Sequence, residues 1–262
     1  MGPERQPAEV LLSRIEDASL NASAAPQQRW VDGWLVRYAP GHAKRARSIQ
    51  AVAEGRLGLD RRLALAAQVY ADAGLPMVAR ITPFSRPDDL DAALAERGWR
   101  RHDDTHVMLR AGLSAARTAP APLPPGLRLV RLGPQDFAQA VGQLRGSPPA
   151  ERAAHGDRLS LAPVPLQGHA IVEEDGSVLA CGLLAREIEL AGLYDLVTAP
   201  RARRRGLATW LCEHMLSSSI MPGKEIAYLQ VGADNPEARR LYRRLGFADA
   251  YPYHYRTAPW SS

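Results

Sequence analysis

Cysteine is scarce in this chain of 262 residues, with only Cys181 and Cys212 present. Two cysteines cannot build a disulfide framework, and these two do not form a Cys-x-x-Cys pair. Cys181 falls in an apolar strand and Cys212 on a helix, and both read as ordinary buried thiols. No apolar run reaches the ~18 residues of a membrane-spanning helix, so no membrane partner is expected. The opening MGPERQPAEVLL is too charged for a secretory core. A soluble cytoplasmic protein is therefore expected. No cluster of His, Cys and carboxylates has metal-ligand spacing, so no metal is expected either. Aromatics make up only 6% and do not interleave with the arginines as a base-stacking surface requires, which argues against nucleic acid.

Apolar residues, in contrast, reach 46%, enough for a packed core. The length suits two domains of ordinary size. A net charge of +5 and a pI near 9.5 favour an anionic ligand, and much of the local excess sits in Arg201–Arg205. That concentration points to a local anion site.

Hydrophobic periodicity predicts a helix over Glu9–Ala18 and a strand pair or bent strand over Trp30–Tyr38 with a turn at Asp32-Gly33. His42–Arg47 is a basic connection, either a holder for an acidic ligand or simply solvated. A strand follows over Arg45–Val52, a helix over Leu59–Ala73 stopped by Gly74, a strand over Met77–Thr82, a helix over Pro87–Arg97 stopped by Gly98, and a strand over Thr105–Arg110. The Pro-rich stretch TAPAPLPPG cannot continue a helix or a central strand. It divides the chain into a first domain, residues 1–115, a linker, 116–126, and a second domain, 127–262. The second half reads β-α-α-β-β-β-α-β-α-β, with strands over Leu127–Leu132, His169–Glu174, Val178–Ile188, Leu190–Val197, Ile226–Val231 and Tyr253–Thr257.

Residues 80–99 and 228–247 align without gaps. Strand, loop, helix, glycine stop and final aromatic coincide, Gly98 with Gly246 and Trp99 with Phe247. The same offset sets Gly58 against Gly206. A constant offset over both pieces favours two copies of one fold.

The chemistry concentrates between Tyr194 and Phe247. An apolar strand runs to Val197, turns at Thr198-Ala199-Pro200, enters the basic loop and opens a helix at Leu207. The first N–H groups of a helix have no intrahelical acceptor and lie at the positive end of its dipole. A strand feeding a cationic loop into such a helix is a phosphate-binding device. Gly206 lets the chain approach a ligand closely, Ala208 is small, and Arg203 and Arg205 add charge-assisted hydrogen bonds.

Val197-x-x-Pro200, the loop Arg203-Arg204-Arg205-Gly206-Leu207-Ala208, and Asn235-Pro236-x-Ala238-x-x-x-Tyr242-x-x-x-Gly246-Phe247 together resemble the GNAT superfamily of acetyl-CoA-dependent N-acetyltransferases. The loop fits the pattern Gln/Arg-x-x-Gly-x-Gly/Ala. The resemblance covers about residues 127–258, and the first half looks like an eroded second copy, so the whole resembles tandem GNAT proteins. The implied fold class is α+β, with two GNAT-like domains. Each is a mostly antiparallel twisted mixed sheet flanked by helices, with a splayed central strand pair. The resemblance implies acetyl-CoA as co-substrate, held by Leu196, Val197, Thr198, Arg203, Arg204, Arg205, Gly206, Leu207, Ala208, Thr209, Asn235 and Tyr242. A backbone N–H at Leu196 or Val197 would polarise the thioester carbonyl. Tyr242 would protonate the leaving thiolate, a role that suits a phenol holding its proton at neutral pH. Asn235 would cap its helix and touch the pantetheine or a phosphate.

For the general base, Asp195 is the leading candidate, with Glu187, Glu189, His169 and His214 behind it. Strict alternation puts Tyr194 and Leu196 on one face of the strand, Asp195 and Val197 on the other. The first copy lacks the machinery: Gly55 and Asp60 stand opposite Arg203 and Ala208, and Leu94 opposite Tyr242. Trp30, Trp34 and Arg37 are either core or part of an acceptor cleft. The leading expectation is acetyl transfer to a small-molecule or peptide amine by a monomer whose tandem domains mimic a dimer. The alternative is a regulatory protein that binds acyl-CoA without catalysis. Nothing in the spacing names the acceptor.

Overall fold

The computed structural model describes residues 7–23, 25–39, 43–113, 120–218 and 226–259. The expected linker falls partly outside these residues, at 116–119, as does His42 of the basic connection. The first half contains α1 (Pro7–Asn21), β1 (Gln28–Val31), β2 (Trp34–Arg37), β3 (Ile49–Gln50), α2 (Leu59–Asp72), β4 (Val78–Ile81), α3 (Leu90–Glu96) and β5 (Arg100–Arg110). The second contains β6 (Leu127–Leu132), α4 (Pro134–Arg145), α5 (Pro149–Ser160), β7 (Leu166–Glu173), β8 (Val178–Glu187), β9 (Leu190–Thr198), α6 (Leu207–Ser218), β10 (Ile226–Gly232), α7 (Pro236–Arg244) and β11 (Ala248–Thr257). The expected order of the second half is the observed one. The expected strand over Arg45–Val52 shrinks to β3, because Lys44–Ala46 coils into a short 3-10 turn. No helix among the described residues is long and apolar enough to cross a membrane.

The chain forms two compact units that interleave in sequence. One comprises residues 1–24, 108–231 and 235–250; the other comprises 25–107, 232–234 and 251–262. This differs from a single cut at the Pro-rich stretch, for two reasons. Helix α1 is held within the first unit: Arg14 lies 3.6 Å from Glu187 and 3.5 Å from Glu189, and Asn21 donates to Glu187 at 3.0 Å. The end of β11 belongs to the second unit, where His254–Thr257 pair antiparallel with Ile81–Val78 of β4.

In the first unit the strand order is β6-β7-β8-β9-β10, antiparallel except for the parallel β9–β10 pair. Alternation sorts the side chains into two cores. Ala170, Val172, Cys181 and Leu183 pack with Phe137, Val141 and Leu159 of α4 and α5. Ile171, Ala180, Leu184 and Leu193 pack with Leu207, Leu211, Met215 and Tyr242 of α6 and α7.

In the second unit the order is β1-β2-β3-β4-β11. Asp32 and Gly33, at φ 42° and 85°, close a two-residue hairpin with Val31 opposite Trp34. Trp34 is buried beneath the Arg62 guanidinium, 4.8 Å from its ring, and donates to the Arg86 carbonyl at 3.0 Å. Arg37 is buried as well, whereas Trp30 is 66% exposed. Trp34 and Arg37 are thus interior groups. The repeat survives in the structure. Leu59 and Leu207 open their helices 148 residues apart, and Val78 and Ile226, then Arg100 and Ala248, open strands at the same offset.

Candidate active site

Strand β9 carries the candidate site. Its start pairs in parallel with β10, from Leu190 opposite Ile226 to Leu193 opposite Leu229, where the pairing ends. Tyr194–Thr198 continue against β8 and are all partly exposed. This is the opened strand pair that the resemblance implies.

The ladder to β8 contains a bulge. Cys181 faces Val197 and Leu183 faces Tyr194, so Gly182 alone spans Asp195 and Leu196. Asp195 takes φ +51°, in the left-handed region. Gly182 makes room for the bulge, since a Cβ there would sit 2.9 Å from Met215 and 3.2 Å from Leu196. The bulge overturns strict alternation. Tyr194 and Val197 both join the core under α4 and α5, and Leu196 joins the α6 core.

Asp195 shares the face of Tyr194 and Val197 and meets α4 and α5. Arg145 Nη2 donates to its Oδ1 at 2.8 Å, and His155 Nε2 lies 3.2 Å from its Oδ2. Burial pushes the Asp195 carboxyl up, but the His155 hydrogen bond and the Arg145 charge outweigh it, holding the pKa well below the usual carboxylate range. A carboxylate so paired accepts a proton weakly. Glu187 and Glu189 are engaged by α1. His169 is fully buried, with no hydrogen bond to a described residue at either ring nitrogen, and burial followed by His214 lowers its pKa to about 4. His214 packs 5.3 Å from both the His169 and Trp210 rings. The structure thus adds two residues that the sequence reading did not single out, Arg145 and His155. They lie on separate helices, and only folding brings them to Asp195.

After Thr198 a 3-10 turn over Pro200–Ala202 buries Ala202 and delivers the loop. Arg203 is extended, while Arg204 and Gly206 take φ 60° and 78°. Two left-handed residues in three positions turn the chain sharply into α6 and favour an anion-binding concavity of N–H groups. A Cβ on Gly206 would meet nothing within 4 Å, so the positive φ requires the glycine and the space above it is open. Arg203, Arg204 and Arg205 are exposed, whereas Arg201 is tied to Glu173 at 2.6 Å. Leu207 anchors the helix in the core, with Ala208 and Thr209 half-buried behind it.

Asn235 caps α7, its Oδ1 accepting from the Ala238 N–H at 3.0 Å. Tyr242, 9% exposed, packs 6.1 Å from the Phe247 ring. Burial, and then neighbouring Cys212, raise its pKa, so it keeps its proton at neutral pH. Cys181 and Cys212 are buried, and burial pushes each thiol up to about 12. No group of three or more His, Cys, Asp and Glu among the described residues is placed to hold a metal ion. A cationic helix entrance beside an opened strand edge suits a ligand with phosphates joined to an extended, hydrogen-bonding arm.

Residues 140–247 match the profile of the acetyltransferase (GNAT) family. The chain is 25% identical to the uncharacterized N-acetyltransferase YobR of Bacillus subtilis (strain 168), over 94% of this chain and 98% of the relative. Among solved structures, it resembles a GCN5-related N-acetyltransferase from Kribbella flavida with a TM-score of 0.65 at 15% identity, over 97% of this chain and 96% of that one. It also resembles a tandem GNAT protein from the clavulanic acid biosynthesis pathway, with a TM-score of 0.59 at 16% identity, over 78% of this chain and 70% of that one. At these identities the structural likenesses speak to the fold.

Proposed function

We propose, from the match of residues 140–247 to the acetyltransferase (GNAT) family profile, that the chain moves an acetyl group from acetyl-CoA to a primary amine, by direct attack in a ternary complex. One observation carries this reading: β9 parts from β10 after Leu193 and Leu229, beside a helix entrance set by Arg203–Gly206. Acetyl-CoA supplies an activated thioester, and the residues fit it. The N–H groups from Arg204 to Thr209 and the exposed arginines receive its phosphates, with Asn235 at the next helix entrance. The free edge at Leu196, Val197 and Thr198 receives the pantetheine arm as an added strand. The bulge at Asp195 turns a backbone N–H, at Leu196 or Val197, toward the thioester oxygen, where it stabilises the developing negative charge.

Tyr242 holds its proton in the free protein and gives it to the departing thiolate. Its burial keeps the hydroxyl protonated, so the proton is in place when the thiolate leaves. The first copy has no such group and is non-catalytic. The protein acts as a monomer in solution, on a small-molecule or peptide amine.

The test is a panel of primary amines with purified protein, following release of free CoA. Turnover with at least one amine is expected, and Tyr242→Phe should lower kcat by about 10²-fold or more while leaving acetyl-CoA affinity intact. Binding of acetyl-CoA with no turnover on any amine would instead identify a regulatory acyl-CoA binder. Full activity of Tyr242→Phe would remove the tyrosine from its role.

A further inference from the structure

Transfer to an amine that arrives as an ammonium ion requires a proton acceptor, and the carboxylates on or beside β9 are already paired: Glu187 and Glu189 with α1, Asp195 with α4 and α5. We propose that His155 is the general base and that Asp195 is its positioning residue. The inference rests on the acetyltransferase reading above and names the group on which that reading depends for its first proton transfer.

His155 projects from α5 with its Nε2 3.2 Å from Asp195 Oδ2. A neutral imidazole that donates from Nε2 carries its lone pair on Nδ1. Nδ1 makes no hydrogen bond to any described residue. The side chain is 18% exposed, shielded from bulk water yet reachable. Asp195 sits in the bulge next to Leu196, at the opened edge, so the imidazole stands beside the segment that would hold the thioester. Arg145 fixes the other carboxylate oxygen, so Asp195 stays ionised and supports the imidazolium without taking its proton. The remaining groups facing this pair fit the assignment. Arg158 on α5 adds positive charge near Asp195, and Cys181 on β8 stays a neutral thiol.

The proton and electron count closes. The ammonium gives one proton to Nδ1, and its freed lone pair forms the C–N bond while the carbonyl π pair moves onto oxygen. When that pair returns, the C–S bonding pair leaves with sulfur, which takes the proton of Tyr242. The surplus proton on the new amide nitrogen passes through water to the tyrosine oxygen, and the imidazolium releases its own proton to solvent.

Two variants and one spectroscopic measurement test this. His155→Gln should lower kcat by about 10²–10⁴-fold at pH 7. The deficit should narrow as pH rises and the amine deprotonates unaided. The acidic limb of the wild-type pH profile should vanish, and KM for acetyl-CoA should stay unchanged. Asp195→Asn should lower kcat less and move the acidic limb to lower pH, because the imidazolium loses its counter-charge. Independently of turnover, nitrogen-15 NMR of the histidine rings should show the Nε2–H tautomer for His155, with bare Nδ1, and mixed tautomers in Asp195→Asn. An active His155→Gln enzyme with the wild-type pH profile overturns the inference, as does a neutral His155 carrying its proton on Nδ1. Failure of the wild-type protein to turn over any amine would sink the acetyltransferase reading instead, and the tautomer measurement still decides the His155–Asp195 arrangement.

Discussion

Helices α2 and α6 stand at equivalent places in the two copies, and they are entered in opposite ways. Before α6 the chain passes through Arg203, Arg204 and Arg205, with two residues left-handed. Before α2 it passes through Gly58 in an extended conformation, and the first turn carries Asp60, paired with Arg97 at 2.8 Å. An acidic side chain there opposes an anionic ligand where three cations favour one. The strands leading in differ as much. β9 has nine residues and a bulge, whereas β3 has two, Ile49 and Gln50, both paired with β4. The third contrast is Leu94, fully buried at the place that Tyr242 holds in the other copy. The helices and strands that open at the constant offset keep their places while these residues differ.

The largest test of that contrast is at Leu94. If it only packs, Leu94→Ala should cost about 2–5 kcal/mol of stability in denaturant titrations and leave the affinity for acetyl-CoA unchanged. A variant that folds normally yet loses acetyl-CoA would show that the first copy takes part in binding.

Acid should expose a second difference. The second unit buries Arg80 with its guanidinium 3.9 Å from the Tyr253 ring, and that cation keeps its charge at any ordinary pH. The first unit buries His169 without hydrogen bonds to any described residue and with a pKa lowered to about 4. Below pH ~6.5 the unfolded chain binds a proton at this residue that the folded chain refuses until about pH 4. The stability is therefore full above pH ~6.5 and is lost as pH falls to about 4, by about 3 kcal/mol. His169→Leu should flatten this part of the profile in thermal melts at a series of pH values. An unchanged profile would show that the imidazole finds a partner.

The smallest expected effect is on ligand affinity. Arg203→Glu combined with Arg205→Glu should weaken acetyl-CoA about 10–100-fold by calorimetry, the loss of one or two charge-assisted bonds. Asp60→Asn should change nothing, and the stoichiometry should be one per chain. Binding of two equivalents would break the contrast outright.

Much of this was legible in the chain. The loop Arg203–Ala208 and the cap at Asn235 follow from local patterns: a cationic run before a glycine and a helix, and an Asn-Pro at a helix start; the parting of β9 from β10 was implied only by the resemblance to the GNAT superfamily. The repeat could be read because strand, helix and glycine stop kept a constant spacing. The bulge could not, because it depends on Gly182 of the neighbouring strand admitting two residues where one was due. That single insertion moved Tyr194 to the face of Asp195. The pairing of Asp195 with Arg145 and His155 was hidden for the same reason, since residues on three separate elements leave no mark in local spacing. The membership of α1 in the first unit rests on contacts of Arg14 and Asn21 that a division at the Pro-rich stretch cannot anticipate.

The placement of residues 251–257 bears on the order in which the protein can assemble during synthesis. Most of the second unit is made early, as residues 25–107, yet its sheet lacks β11 until residues 251–257 have left the ribosome. In the interval β4 presents an unpaired edge, the kind of surface that invites mispairing with other chains. The earlier-made half therefore finishes folding last, and a fragment cut at the Pro-rich stretch would contain every residue of the first repeat while missing the strand that closes its sheet.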